Sequence, residues 1–143
     1  MARYETTIES RLPAAEAFAY MADFANARVW DPSVSKAGRV DEGALEVGST
    51  FDLVARFAGR DVPLRYTIVS YEPSHQVVLE AHRPGFVSRD TITVESAEHG
   101  SNVHYDAILA FSGIGRLFDP LMQWIFNRVG SQAKTGMETA LNP

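Results

Sequence analysis

The chain has 143 residues, 45% of them hydrophobic and 22% charged, which is the makeup of a folded globular domain and excludes a disordered chain. A formal net charge of -5 argues against a general nucleic-acid binder, and the absence of cysteine excludes disulfides, thiol nucleophiles, thiolate zinc sites and iron–sulfur ligation. No apolar run approaches the roughly 18 residues of a membrane span, and Met1-Ala2-Arg3-Tyr4-Glu5 has no apolar leader, so the expectation is one cytoplasmic domain over residues 1–143.

Residues 2–10 alternate, with Tyr4, Thr6, Ile8 and Ser10 on one face and charged residues on the other, which predicts a half-buried strand. Pro13 opens a helix over Ala14–Ala25, with Ala17, Phe18, Met21 and Phe24 at helical spacing. Asp31-Pro32 closes that region, because the residue before proline avoids the helical conformation. A short strand near 35–41 and five strands at 50–57, 62–71, 76–83, 86–95 and 102–111 follow, separated by Ala58-Gly59-Arg60-Asp61, Glu72-Pro73-Ser74-His75, Pro84-Gly85 and Glu98-His99-Gly100-Ser101. The last segment, Ile114 to Leu141, carries a stripe of Ile114, Phe118, Met122, Ile125, Val129, Ala133, Gly136 and Ala140. It predicts one helix about 40 Å long at 1.5 Å per residue.

Pairing the strands as successive hairpins tests this reading. Phe57 falls opposite Val62, Tyr71 opposite His or Gln near residue 76, Arg83 opposite Phe86, and Ile92 opposite Tyr105. One face then collects Phe51, Leu53, Tyr66, Ile68, Val77, Leu79, Ala81, Arg83, Phe86, Ser88, Asp90, Ile92, Tyr105 and Leu109, while the other is largely charged and polar. A one-residue slip would destroy this segregation. Glu80 lies opposite Arg89 on the wet face, a favourable cross-strand pair. The sheet is antiparallel with one covered side.

The order strand, helices, antiparallel run and long terminal helix resembles the START-like (SRPBCC) superfamily, and within it the polyketide cyclase/dehydrase-type proteins. The resemblance rests on Phe18-Ala19-Tyr20-Met21-Ala22-Asp23-Phe24 leading into Trp30-Asp31-Pro32-Ser33-Val34, on Val47-Gly48-Ser49, on Gly100-Ser101 before Val103-His104-Tyr105-Asp106-Ala107, and on Asp119-Pro120-Leu121. It implies an α+β helix-grip fold: a curved antiparallel sheet of about seven strands wrapped around a long C-terminal helix, with two short helices after the first strand and an apolar cavity between sheet and helix. It also implies a hydrophobic small-molecule ligand, such as a lipid, a polyketide or an aromatic metabolite. Fold alone speaks for binding more than for chemistry.

The inward polar groups carry whatever chemistry there is. Asp90 falls between Leu79 and Ala107, where a carboxylate has a raised pKa or needs a partner. It is a candidate acid or base with Tyr66 or Tyr105, or a group satisfied by helix or water. Tyr66 and Tyr105 suit either a ligand cavity or ordinary core packing. Ser88 sits between Ala81 and Leu109, small enough neighbours to leave space. Arg83 ends its strand, where it guards a cavity mouth or is merely solvated. Trp30 lines the entrance or pins the short helices. His75, His82, His99 and His104 have no metal-ligand spacing, and no phosphate loop, dinucleotide fingerprint or serine-hydrolase elbow is present, so no metal or cofactor is expected.

The ligand pocket is therefore expected from Trp30, Phe51, Leu53, Tyr66, Leu79, Ala81, Arg83, Phe86, Ser88, Asp90, Tyr105, Leu109, Phe118, Met122 and Ile125, with Asp90 and Tyr66 as the catalytic candidates if a cyclase or dehydratase reaction occurs. Leu117, Leu121, Trp124 and Phe126 give the terminal helix more apolar surface than one buried stripe requires. They pack on the N-terminal helices, form a homodimer or partner contact, or meet a lipid surface.

Overall fold

In the computed structural model, residues 1–143 are described except for the side chains of Ile114 and Phe118, so the expectations placed on those two side chains lie outside the described residues. The alternating segments form β1 (Ala2–Ser10), β2 (Val34–Arg39), β3 (Thr50–Phe57), β4 (Arg60–Glu72), β5 (Gln76–Arg83), β6 (Phe86–Ala97) and β7 (Gly100–Phe111). They make one curled antiparallel sheet in the order β1-β7-β6-β5-β4-β3-β2. The sheet wraps round the C-terminal helix, which is the helix-grip arrangement. Its inner face carries Phe51, Tyr66, Ile68, Val77, Leu79, Ala81, Ile92, Val94, Val103 and Tyr105, all buried.

Register follows the expected parity. Arg83 faces Phe86, Ile92 faces Tyr105, and Glu80 faces Arg89 with an ion pair at 2.9 Å on the wet side. Two details differ. Phe57 pairs with Arg60 rather than Val62, because Ala58 and Gly59 (φ +52° and +79°) close a two-residue turn instead of a four-residue loop. The shift is by two residues, so the same side chains stay inside. Tyr71 pairs with Val77 rather than residue 76, because a bulge between Ile68 and Ser70 inserts one residue into β4. The bulge turns Tyr71 inward onto Phe18, ring centroids 5.6 Å apart.

The helices are shorter than their periodicity implies. The expected Ala14–Ala25 helix stops at Ala22 as α1 (Ala14–Ala22), where the Asp23 carboxylate accepts a hydrogen bond from the Ala25 N–H. A 3₁₀ turn (Phe24–Asn26) and the four-residue α2 (Ala27–Trp30) complete the segment. The terminal helix begins not at Ile114 but at Asp119, as α3 (Asp119–Ala140), after a 3₁₀ turn over Gly113–Phe118. Pro120 has no N–H for the Arg116 carbonyl, so an α-helix cannot run unbroken through it. Its 22 residues span about 33 Å rather than about 40 Å.

The C-terminal half of α3 is the tightly held half. Its buried positions are Gly130, Ala133 and Met137; Ala133 belongs to the expected stripe, and Val129 and Gly136 flank the buried line on the side of the cavity and Trp30. A Cβ built on Gly130 would meet the Tyr4 ring at 2.3 Å, and one on Gly136 would meet the Trp30 carbonyl oxygen at 1.9 Å. Glycine lets α3 touch β1 and α2 directly. Side-chain amides also fasten α3 to the free edge of β1. Gln123 accepts from the Arg3 N–H and donates to the Arg3 carbonyl, both at 2.8 Å. Asn142, just beyond the helix, accepts from the Arg11 N–H and donates to the Glu9 carbonyl, both at 2.9 Å.

Gly136→Ala tests this contact, because intrinsic propensity and packing predict opposite signs. Propensity alone would stabilise the helix by about 1 kcal/mol, whereas overpacking against backbone costs roughly 1–3 kcal/mol. The expected outcome is a lower denaturation midpoint, and a raised midpoint would contradict the close approach.

Candidate functional site

Two inward positions of the middle strands, Ser88 and Ala107, leave room where larger residues would close the core. Ala81 on β5 faces Ser88 on β6, which faces Leu109 on β7; one step along, Asp90 lies between Leu79 and Ala107. The Tyr66 hydroxyl on β4 and the Ser88 hydroxyl are 2.7 Å apart. The Tyr105 hydroxyl on β7 donates to Asp90 Oδ2. These groups line a cavity of about 130 Å³. Its floor is β3 to β7, and its roof comes from Phe24, Trp30, Asp31 and Ser33 of the α1–β2 segment and from Phe126 and Val129 of α3. Edge-to-face aromatic pairs fix the roof, Phe24 on Tyr66 at 5.0 Å and Trp30 on Tyr105 at 5.5 Å.

Burial sets the electrostatics. It raises the Asp90 carboxyl to about 7, although hydrogen bonds from Tyr105 and Ser88 favour the charged form. The Asp31 carboxylate adds a raising influence, and its own pKa is raised by burial against opposing hydrogen bonds from the Ser33 N–H and hydroxyl. Burial, together with the Asp90 charge, drives Tyr66 and Tyr105 well above the ordinary phenol range. Both phenols therefore stay protonated near neutrality, while Asp90 divides between acid and base. The Trp30 indole N–H is buried with no hydrogen-bond partner among the described residues. The site thus combines a proton-exchanging carboxyl, phenolic donors and a spare N–H inside apolar walls.

The structure brings together Trp30, Leu53, Tyr66, Phe86, Ser88, Asp90, Tyr105 and Leu109 of the expected pocket. Phe51, Leu79 and Ala81 point inward but are fully buried in closed core rather than on the cavity wall. Arg83 is exposed at its strand end. Met122 and Ile125 are half-buried on α3 but do not reach the cavity, because the helix turns Phe126 and Val129 toward it instead. Phe118 lies outside the described residues. Of the proposed catalytic pair, Asp90 meets Tyr105, and Tyr66 meets Ser88. Sequence reasoning missed Asp31 and Ser33, which sat in view beside Trp30. It also missed Phe57 and Phe111 at the ends of β3 and β7, which line the cavity where the sheet opens.

The buried carboxyl gives stability a pH signature. The folded pKa of about 7 lies above the unfolded value, so Asp90 contributes stability that is fully present below about pH 4 and is lost as pH rises through about 7, by at most about 4 kcal/mol. Thermal midpoints across this window should fall with rising pH in the wild type and fall less in Asp90→Asn. Tyr105→Phe removes a hydrogen bond that favours the carboxylate, so the fall should begin at the same pH and extend to higher pH; a profile indifferent to both substitutions would contradict the assignment.

Comparison with known proteins agrees with this geometry. The family described as polyketide cyclase/dehydrase and lipid transport matches residues 1–141. No curated protein sequence matches the chain. A START superfamily protein from Mycobacterium smegmatis superposes with a TM-score of 0.80 at 10% identity, covering 99% of this chain and 97% of that one. A Thermus thermophilus protein gives 0.77 at 14% identity, with 98% and 95% covered. The Zhui aromatase/cyclase of a Streptomyces species gives 0.73 at 12% identity, with 97% and 92% covered. These likenesses establish a shared fold, and the match across nearly the whole length settles the family: the chain belongs to the polyketide cyclase/dehydrase and lipid transport family.

Proposed function

We propose that the protein binds a hydrophobic small molecule whose end carries a hydroxyl or carbonyl, with that end enclosed between the sheet and α3. The observation that supports this most is a cavity lined mainly by apolar side chains, with Asp90, Tyr105, Ser88 and Tyr66 together at its floor. Apolar walls supply affinity, and the few polar groups fix orientation. Volume limits what fits. An apolar cavity of roughly 150 Å³ admits benzene, so about 130 Å³ holds one ring or the end of a longer molecule. The remainder of a larger ligand would leave past Phe57, Phe86 and Phe126.

The Asp90–Tyr105 hydrogen bond favours a second reading, a cyclase or dehydratase. A carboxyl with a pKa of about 7 is populated as both acid and base near neutrality, as proton abstraction beside a carbonyl or protonation of a departing hydroxyl requires. Tyr105 is the phenol placed to share that proton, with Tyr66 acting one residue further along the network through Ser88.

Native mass spectrometry followed by organic extraction tests binding first, with phenol and 2-naphthol as titrated probes. Ala107→Leu places three more carbons at the cavity wall, so probe affinity should fall at least tenfold while the thermal midpoint holds or rises. If neither a retained molecule nor any probe binds the wild type, the binding reading fails. Where an extracted ligand is turned over, Asp90→Asn should abolish turnover and leave binding within severalfold, and unchanged turnover would remove Asp90 from the chemistry.

A further inference from the structure

We propose that the rim of the cavity is a docking surface for an anionic lipid bilayer, built from the exposed face of α3 and the arginines around it. Leu121 and Trp124 are 52% and 63% exposed, and Leu117 in the preceding turn is 78% exposed. At 100° per residue Leu121, Trp124 and Arg128 share one face of α3, opposite Phe126, Gly130, Ala133 and Met137, which face the protein. The first half of this helix is therefore apolar on both sides, and only one side is covered.

The surroundings of this stripe are basic although the whole chain carries a net charge of -5. The β3–β4 turn reaches α3 through Phe57 and Phe126, whose rings are 6.4 Å apart. The β5–β6 turn reaches the segment before α3 through the Ser112 N–H, which donates to the Gly85 carbonyl at 2.9 Å, and through the Phe86–Phe111 ring pair at 6.0 Å. Those turns bring Arg60 and Arg83 to the end of the molecule where Arg116 and Arg128 flank the apolar stripe. All four are exposed, and none has an ion-pair partner among the described residues. The turns at the other end of the sheet carry exposed Glu42, Glu46, Glu72 and Glu98. Charge is thus separated along the strands, with the positive end at the cavity rim.

That polarity selects the occupant. A second copy joined through this stripe by a two-fold axis would bring Arg116 and Arg128 of both copies together in one interface. A bilayer surface of anionic headgroups matches the arginines, and its interfacial layer accepts an exposed tryptophan and leucines. Docked in this way, the rim would open onto the lipid, and an apolar ligand could enter without crossing water. The surface stands apart from the identity of the ligand, and its failure would leave the cavity reading intact.

The chain's two tryptophans make the test direct, because Trp30 is already buried and only Trp124 can change environment. Dilute protein is mixed with phosphatidylcholine vesicles, with and without phosphatidylglycerol, while emission and co-sedimentation are followed. The expected result is a blue shift and co-sedimentation with the anionic vesicles alone, reversed at about 0.5 M salt. Trp124→Phe should remove the shift, and Arg116→Glu with Arg128→Glu, both on the surface, should cut the bound fraction about tenfold. Equal binding to neutral vesicles would overturn the proposal. So would absence of vesicle binding, whether sedimentation finds a monomer or a dimer that shields Trp124.

Discussion

The direct contact of α3 with β1 and α2 is the constraint from which the rest of the molecule follows. Gly130 against the Tyr4 ring and Gly136 against the Trp30 carbonyl bring the C-terminal half of the helix as close as backbone allows. The N-terminal half, carrying Phe126 and Val129 in place of glycine, stands off the sheet by the size of those side chains. The interval between the two is the cavity, closed at one end by contact and open at the other by bulk. The same residue, Trp30, is pressed by the helix on its backbone and meets Tyr105 edge-to-face through its ring, so helix position and the polar network are mechanically linked.

That network runs against stability. A carboxyl held in an apolar surround with one phenol and one hydroxyl for partners is worth less to the fold than a methyl group of the same shape, because the penalty for burying its charge exceeds what those hydrogen bonds return. The neighbouring Trp30 N–H is left without a partner. Two such departures from a well-satisfied core, within one small volume, are the mark of a region arranged for something other than stability.

The strands were legible because one physical rule governs them. Period-two alternation over 50–111, together with the turn residues, decides the face of the side chains except after the β4 bulge, which turns Tyr71 inward, and even the mistaken partner for Phe57 kept its parity. The helices were less so. Periodicity continues through residues 114–120, and the break at Asp119 depends on a single missing N–H in Pro120. Within the site, inward orientation was readable but wall and core were not. Leu79 and Asp90 face one another across two strands, yet only Asp90 borders space, because that depends on how far α3 and α2 descend over each. Likewise the partner of Asp90 is Tyr105 rather than Tyr66, a matter of how the sheet curls rather than of which residues point in. Asp31 was visible only as part of a motif, since its place on the cavity wall comes from the bend that α2 makes into β2.

The amides of Gln123 and Asn142 have a meaning beyond fastening the helix. Strand β1 is an edge of the sheet, and its outward N–H and C=O groups would be a template for another chain's strand. The two side chains occupy that template near both ends, each imitating a peptide group of a neighbouring strand. The terminal helix is therefore also a stopper against polymerisation. Any motion of the helix that enlarges the cavity must leave the Gln123 and Asn142 contacts in place, since release of the whole helix would uncover the β1 edge and become the first step of aggregation.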